Sequence, residues 1–277
     1  MMRTRITTTA GAVALAALAA ACGSSGSSGS APAATGMGAS HQAVTATAVG
    51  ASSPAGTGKL TGPLTGAAAT ALVTKAIANT QAAASVRVAG HATATGTGTG
   101  TGSAANSQPV TFDLTLVKNA GCAGTIALSK TESFQIVATG GYVWILPSTA
   151  FYASMHLSKA ALALIADKYI KVKSTDRQIG DLGKECTFSG LLGSMSKQNG
   201  KDYAAVPATY EGAPAYEVTQ TGQQGTAVVS NTATPLLLKL TDQQANGGTI
   251  TFTDYNATKT IAAPTAAESI DGSQLGI

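Results

Sequence analysis

Val110-Thr111-Phe112-Asp113-Leu114-Thr115-Leu116-Val117 is the stretch that decides the fold. Val110, Phe112, Leu114 and Leu116 alternate with Thr111, Asp113 and Thr115. Successive side chains of a strand point to opposite faces, so this strand has one apolar face and one wet face. The pattern continues downstream through Gly124–Ser129 and Ser133–Ala138, and Gly140-Gly141 turns the chain into Tyr142–Leu146. Upstream, Ser85–Thr95 reads as the first strand. Consecutive short alternating strands predict an antiparallel sheet with one covered face. The Thr-Gly tract after that first strand, Thr95–Gly102, has neither G-x-G-x-x-G nor P-loop spacing, and no helix follows it. It is read as a hairpin connection and not as a nucleotide loop.

Before the sheet, Thr65 is placed to cap a helix over Ala67–Ala84. Leu72, Val73, Ala76, Ile77 and Thr80 recur at helical spacing and give that helix one buried face. After the sheet the texture changes. Ala150–Met155 leads into a short helix over Ser158–Ala166, and Tyr169–Val172 is strand-like. Asp176–Lys184 reads as a loop, after which Thr187 caps a helix carrying Phe188, Leu191, Leu192 and Met195. Strands then resume at Asp202–Ala208, Ala215–Thr221, Thr226–Ser230, Leu236–Thr241 and Thr249–Tyr255, separated by turn-rich segments. From Pro264 the chain reads as a short strand or tail.

The N-terminus carries a different signal. Arg3 and Arg5 precede a small-apolar run, Ala10–Ala21, and Cys22 follows directly. A basic start, a short apolar segment and small closing residues make a secretory signal. The run falls short of the roughly 20 apolar residues of a spanning helix. Leu18-Ala19-Ala20-Ala21-Cys22 resembles the lipobox of bacterial lipoproteins, in which the chain is cut before the cysteine and its thiol takes a diacylglyceryl group. Ala19 stands where that motif usually has Leu, and a plain secretory signal with Cys22 as a passenger is the alternative. The division expected is a signal peptide over 1–21, a Gly/Ser/Ala/Thr tether over 22–64 beginning at lipidated Cys22, and a folded domain over 65–277. A flexible tether of that composition reaches roughly 35 Å.

Charged residues make up only 11 % of the chain, against roughly 25 % in an average soluble domain, and this fits a secreted bacterial surface protein. Loss of Arg3 and Arg5 from the 17 basic side chains leaves 15 against 13 acidic, a net charge of +2. No basic cluster remains to neutralise a row of phosphates, so nucleic acid is not an expected partner. Of the 3 cysteines, Cys122 and Cys186 remain after Cys22 is assigned to the anchor. An even pair outside the reducing cytosol predicts a disulfide.

The order of elements resembles the LolA-like carriers and, more closely, the actinobacterial LppX/LprG-type lipoproteins. Several stretches carry the likeness. They are Ser85–Gly90 after the first helix, Thr111–Val117 leading to Gly121–Thr125, and Gly141–Trp144 followed by Phe151-Tyr152. Gly225–Val229, Thr234-Pro235 and Thr251–Tyr255 are similar as well. The resemblance implies an α+β fold, a curved antiparallel β half-barrel with helices covering its concave face. It also implies an apolar cavity for acyl chains, hence a lipid or glycolipid ligand and a role in carriage or sensing on the outer face of the cytoplasmic membrane. The residues it would place on the cavity wall are Phe112, Leu114, Leu116, Phe134, Ile136, Trp144, Leu162, Leu191, Leu236, Leu238 and Phe252. Alternation alone leaves open whether they line a cavity or a packed core. Trp144 shares a face with Tyr142 and could stack on sugar or seal the core.

No enzyme is read from this chain. A G-x-S-x-G elbow, H-E-x-x-H, C-x-x-C and an EF-hand loop are all absent from the sequence. His41 lies in the tether, and His91 and His156 are isolated, each suited to a surface or capping role. Neither metal nor cofactor is expected, and the body is read as a monomer. The competing reading is a solid-cored module that docks an envelope protein and holds no ligand.

Overall fold

The computed structural model describes residues 60–93, 109–154, 162–163, 165–176, 183, 186–190, 202–244, 247–258 and 260–275. The elements are β1 (Leu64–Thr65), α1 (Gly66–Ala82), β2 (Ser85–Thr93), β3 (Pro109–Val117), β4 (Gly121–Ala127), β5 (Ser133–Thr139), β6 (Tyr142–Pro147) and α2 (Thr149–Ser154). They continue with β7 (Tyr169–Lys173), β8 (Tyr203–Tyr210), β9 (Ala213–Gln220), β10 (Gly225–Ser230), β11 (Leu237–Asp242), β12 (Thr249–Thr253), β13 (Ser269–Asp271) and a closing 3-10 turn, Gly272–Leu275.

The 13 strands of the described residues join one sheet in the order β1-β8-β9-β10-β11-β12-β2-β3-β4-β5-β6-β7-β13. Two meanders, β2 to β7 and β8 to β12, meet where β12 pairs with β2. Every pair is antiparallel except β13, which lies parallel to β7. The fold is thus α+β, with a large and mostly antiparallel sheet. Both outermost strands are very short, β1 with 2 residues and β13 with 3.

The sheet bends around α1. This helix has 17 residues, so it is about 25 Å long. It packs on β1 and β8, yet Gln81 near its end shares a cleft with Tyr142 of β6. Those strands stand nine places apart in the sheet, about 43 Å if it were flat. Glycines allow the bend. A Cβ on Gly90 or on Gly124 would come within 2.0 Å of a carbonyl oxygen on the neighbouring strand, Thr249 and Asp113 respectively.

The apolar stripe of α1 is the one its spacing predicts. Ala69, Leu72, Val73, Ala76, Ile77 and Thr80 are buried. Thr65 occupies the N-cap with extended backbone, but its hydroxyl makes no capping bond. The last turn is tied down instead. Leu237 N donates to Thr80 Oγ1 (3.1 Å), Asn79 Nδ2 donates to the Pro235 carbonyl (2.9 Å), and Tyr255 Oη donates to the Leu237 carbonyl (2.5 Å). Burial pushes the Tyr255 hydroxyl up to about 12, with the Thr80 hydrogen bond acting weakly the other way.

Candidate ligand-binding face

Cross-strand register sorts the concave side chains into rows. The lowest row runs across Val86, Leu116, Cys122, Ala138, Val143 and Val172, and none of these is more than 7 % exposed. Phe252, Val88, Leu114, Ile136, Ile145 and Ile170 form the next, also buried. In the other half of the sheet Tyr216, Val229 and Leu237 are fully buried. With the stripe of α1 these rows make one core. Ile165 and Phe188 add to it from the segments between β7 and its neighbours in the chain.

The opposite end of the same face is less covered. Val110, Leu128, Ala227, Leu240 and Ile250 pack against the core but remain half-buried. Beyond them the register brings Tyr203, Gln220, Gly225 and Asp242 to the rim. Apolar floor thus gives way to polar rim along a single face. Gln220 lies on that face because Tyr216 and Val218 do, four and two residues before it. Its Nε2 is buried without a hydrogen-bond partner.

Of the expected wall residues, Phe112, Leu114, Leu116, Phe134, Ile136 and Phe252 lie in the concave core, and Leu162 packs at its margin. Leu191 and Cys22 lie outside the described residues, as does His156. Leu236 and Leu238 are half-buried and outside the core, and their places are taken by Leu237 and Leu240. The cause is a β-bulge. Val228 pairs with Lys239 and Val229 with Leu237, so Leu238 is the extra residue and the strand changes parity around it. Trp144 also leaves the set. Its Cα partner is Val137, whereas Ile136 pairs with Ile145, so Trp144 projects from the other face of the sheet. There it lies 5.8 Å from the Tyr142 ring, over which Lys171 Nζ stands at 4.0 Å.

Cys122 and Cys186 form a disulfide across a separation of 64 residues. It joins the lowest row to the short helical turn at Phe188, where Thr187 Oγ1 accepts from Gly190 N at 3.0 Å, the cap expected from sequence. Beside it the turns after β3 and β5 frame a cleft of about 560 Å³. Its walls mix polar groups, Gln81, Lys118, Asn119 and Thr187, with apolar ones, Val117, Ala138, Tyr142, Val143 and Phe188.

On the convex face Arg87 Nε and Nη2 donate to the two carboxylate oxygens of Asp113, at 2.8 and 2.5 Å. This contact holds the Asp113 carboxyl below its usual range, the hydrogen bond being the main cause. Both side chains are about half exposed, so the pair stabilises weakly. His91 is exposed near the end of β2. Among the described residues no three His, Cys, Asp or Glu side chains converge to hold a metal, and no helix is long and apolar enough to cross a membrane.

No family model matches the sequence. No curated protein matches it either. Among solved structures the chain is similar to the one described as the crystal structure of LprF from Mycobacterium bovis, at 12 % identity and a TM-score of 0.47, over 72 % of this chain and 97 % of that one. A likeness at that level gives no ground for function.

Proposed function

We propose that this protein is a membrane-anchored extracytoplasmic lipoprotein that binds a lipid or lipid-linked glycan in an apolar hollow, for carriage or sensing. One observation carries the reading. The floor of the concave face is apolar, closed by its own side chains at the Val86–Val172 end and only half-covered at the Val110–Leu128 end, where a polar rim begins. An acyl chain laid over the half-covered end would remove more apolar surface from water, at about 0.8 kcal/mol per CH₂. The binding needs shape and not reactive groups, which fits a chain without catalytic motifs. Native mass spectrometry of protein purified from its own host tests this. A lipid adduct is expected, and a ligand-free mass with no co-extracted lipid overturns it. Cys22→Ser is expected to release the protein from membranes. A variant that stays membrane-bound would refute the anchor.

The solid-cored alternative draws on the closed end, where Tyr216, Phe252 and Leu237 fill the interior. It predicts a docking partner and no lipid adduct in the same spectrum.

A further inference from the structure

We infer that Gln220 is a specificity residue whose side-chain amide donates a hydrogen bond to the carbonyl oxygen of an ester- or amide-linked acyl chain. The inference rests on the lipid-binding reading above. Buried polar groups in folded proteins are nearly always paired, so an orphan calls for an explanation. Among the described residues the orphaned buried side-chain atoms are Trp144 Nε1 and Gln220 Nε2. They lie on opposite faces of the sheet, and only Gln220 faces the concave side.

Its place on that face is informative. Gln220 ends β9, with Tyr203 as its Cα partner across the sheet. One step deeper are Val218, Ala227 and Leu240, which the register puts side by side. At its own level are Gly225 and Asp242, on the polar rim. An amphiphile aligned with this gradient puts its tail on the deeper row and its headgroup at the rim. The atoms at the level of Gln220 are then those that join tail to headgroup. A primary amide nitrogen has two N–H donors and cannot accept, so its partner must be an acceptor. An acyl ester or amide supplies a carbonyl oxygen at that junction. An alkyl ether supplies only a poor acceptor, and a hydrocarbon supplies none. In the free protein this donor is already unpaired, so an ether leaves it as it was while an ester pairs it, and discrimination comes from that gain.

The test compares monopalmitoylglycerol with 1-O-hexadecylglycerol, which share headgroup and chain length and differ at the linkage. Both are titrated calorimetrically into the full-length protein and into Gln220→Leu. The wild-type protein is expected to prefer the ester by roughly tenfold, the size of one buried hydrogen bond. Gln220→Leu should bind both lipids alike, at the affinity of the wild type for the ether. Without ligand its thermal midpoint should equal or exceed that of the wild type, because the orphan donor is gone. An ester preference that survives in Gln220→Leu overturns the inference, as does the lack of any preference in the wild type. If neither lipid binds the wild type, the lipid-binding reading itself fails and this inference falls with it. Should Gln220→Leu not fold, Gln220→Met removes the same donor with an unbranched side chain and is held to the same outcomes.

Discussion

The two ends of the concave face are built from the same kinds of residue and reach different states. At one end Val86, Leu116, Cys122 and Val143 are buried under α1 and the segment that carries Cys186. At the other, Val110, Leu128, Leu240 and Ile250 occupy equivalent positions on their strands and are only half-covered. Composition does not separate them, because both are aliphatic. The difference lies in what is fastened across each. The closed end has the disulfide and the hydrogen bonds that Asn79 and Tyr255 donate to, and Thr80 accepts from, the segment entering β11. The other end has a rim that includes one unpaired amide. Rigidity and access have been given to opposite ends of one surface.

Removing the fastening should have the largest effect. Cys122→Ser with Cys186→Ser frees a loop of 64 residues and is expected to cost about 4 kcal/mol in the chain-entropy account. Chemical denaturation under oxidising and reducing conditions measures this, and an unchanged midpoint would show that the staple is not what closes that end. Next come matched truncations. Leu116→Ala at the closed end should cost about 3 kcal/mol, and Leu240→Ala about half as much, because less of Leu240 is buried to begin with. Equal losses would erase the contrast between the ends.

Alkaline unfolding probes the same fastening through a proton. The folded-state value of Tyr255 is raised from 10.0 to about 12, so its contribution is fully present below pH 10 and is lost as the pH climbs towards 12. The loss should be on the order of 2 kcal/mol. Tyr255→Phe should reduce the slope across that interval without abolishing it, because burial also pushes Tyr152 up to about 12, and an unchanged slope would place the titrating group elsewhere. The smallest effect belongs to the convex face. Asp113→Asn breaks the exposed Arg87 pair and should move the melting midpoint by no more than about 2 °C. Its contribution is lost as the pH falls below the ordinary aspartate range, because the folded value is lowered.

How much of this could be read from the sequence depended on whether a strand keeps one face polar. In β3, Thr111, Asp113 and Thr115 mark the wet side, and Phe112, Leu114 and Leu116 lie in the core on the other. β6 offers no such marker, since Val143, Trp144 and Ile145 are all buried. Its parity is fixed only by pairing with β5, which turns Trp144 outward. In β11 the run Leu236-Leu237-Leu238 is apolar at every position, and the bulge at Leu238 depends on the partner strand. The parallel seat of β13 on β7 is likewise long-range. Gln220 was within reach, since it shares parity with Tyr216 and Val218, but a polar residue at a strand end gives no signal of being buried.

The brevity of the outermost strands bears on self-association. A long bare margin would offer unpaired amides and carbonyls as a template on which neighbouring copies could assemble. Here β1 covers only Ala204 and Ala205 of β8, and Pro207, which has no N–H, interrupts the remainder of that margin; at the far side β13 covers three residues of β7 and is followed at once by the 3-10 turn. Many copies could therefore be held at high local density without zipping into fibres. That safeguard lies in the geometry of the rims.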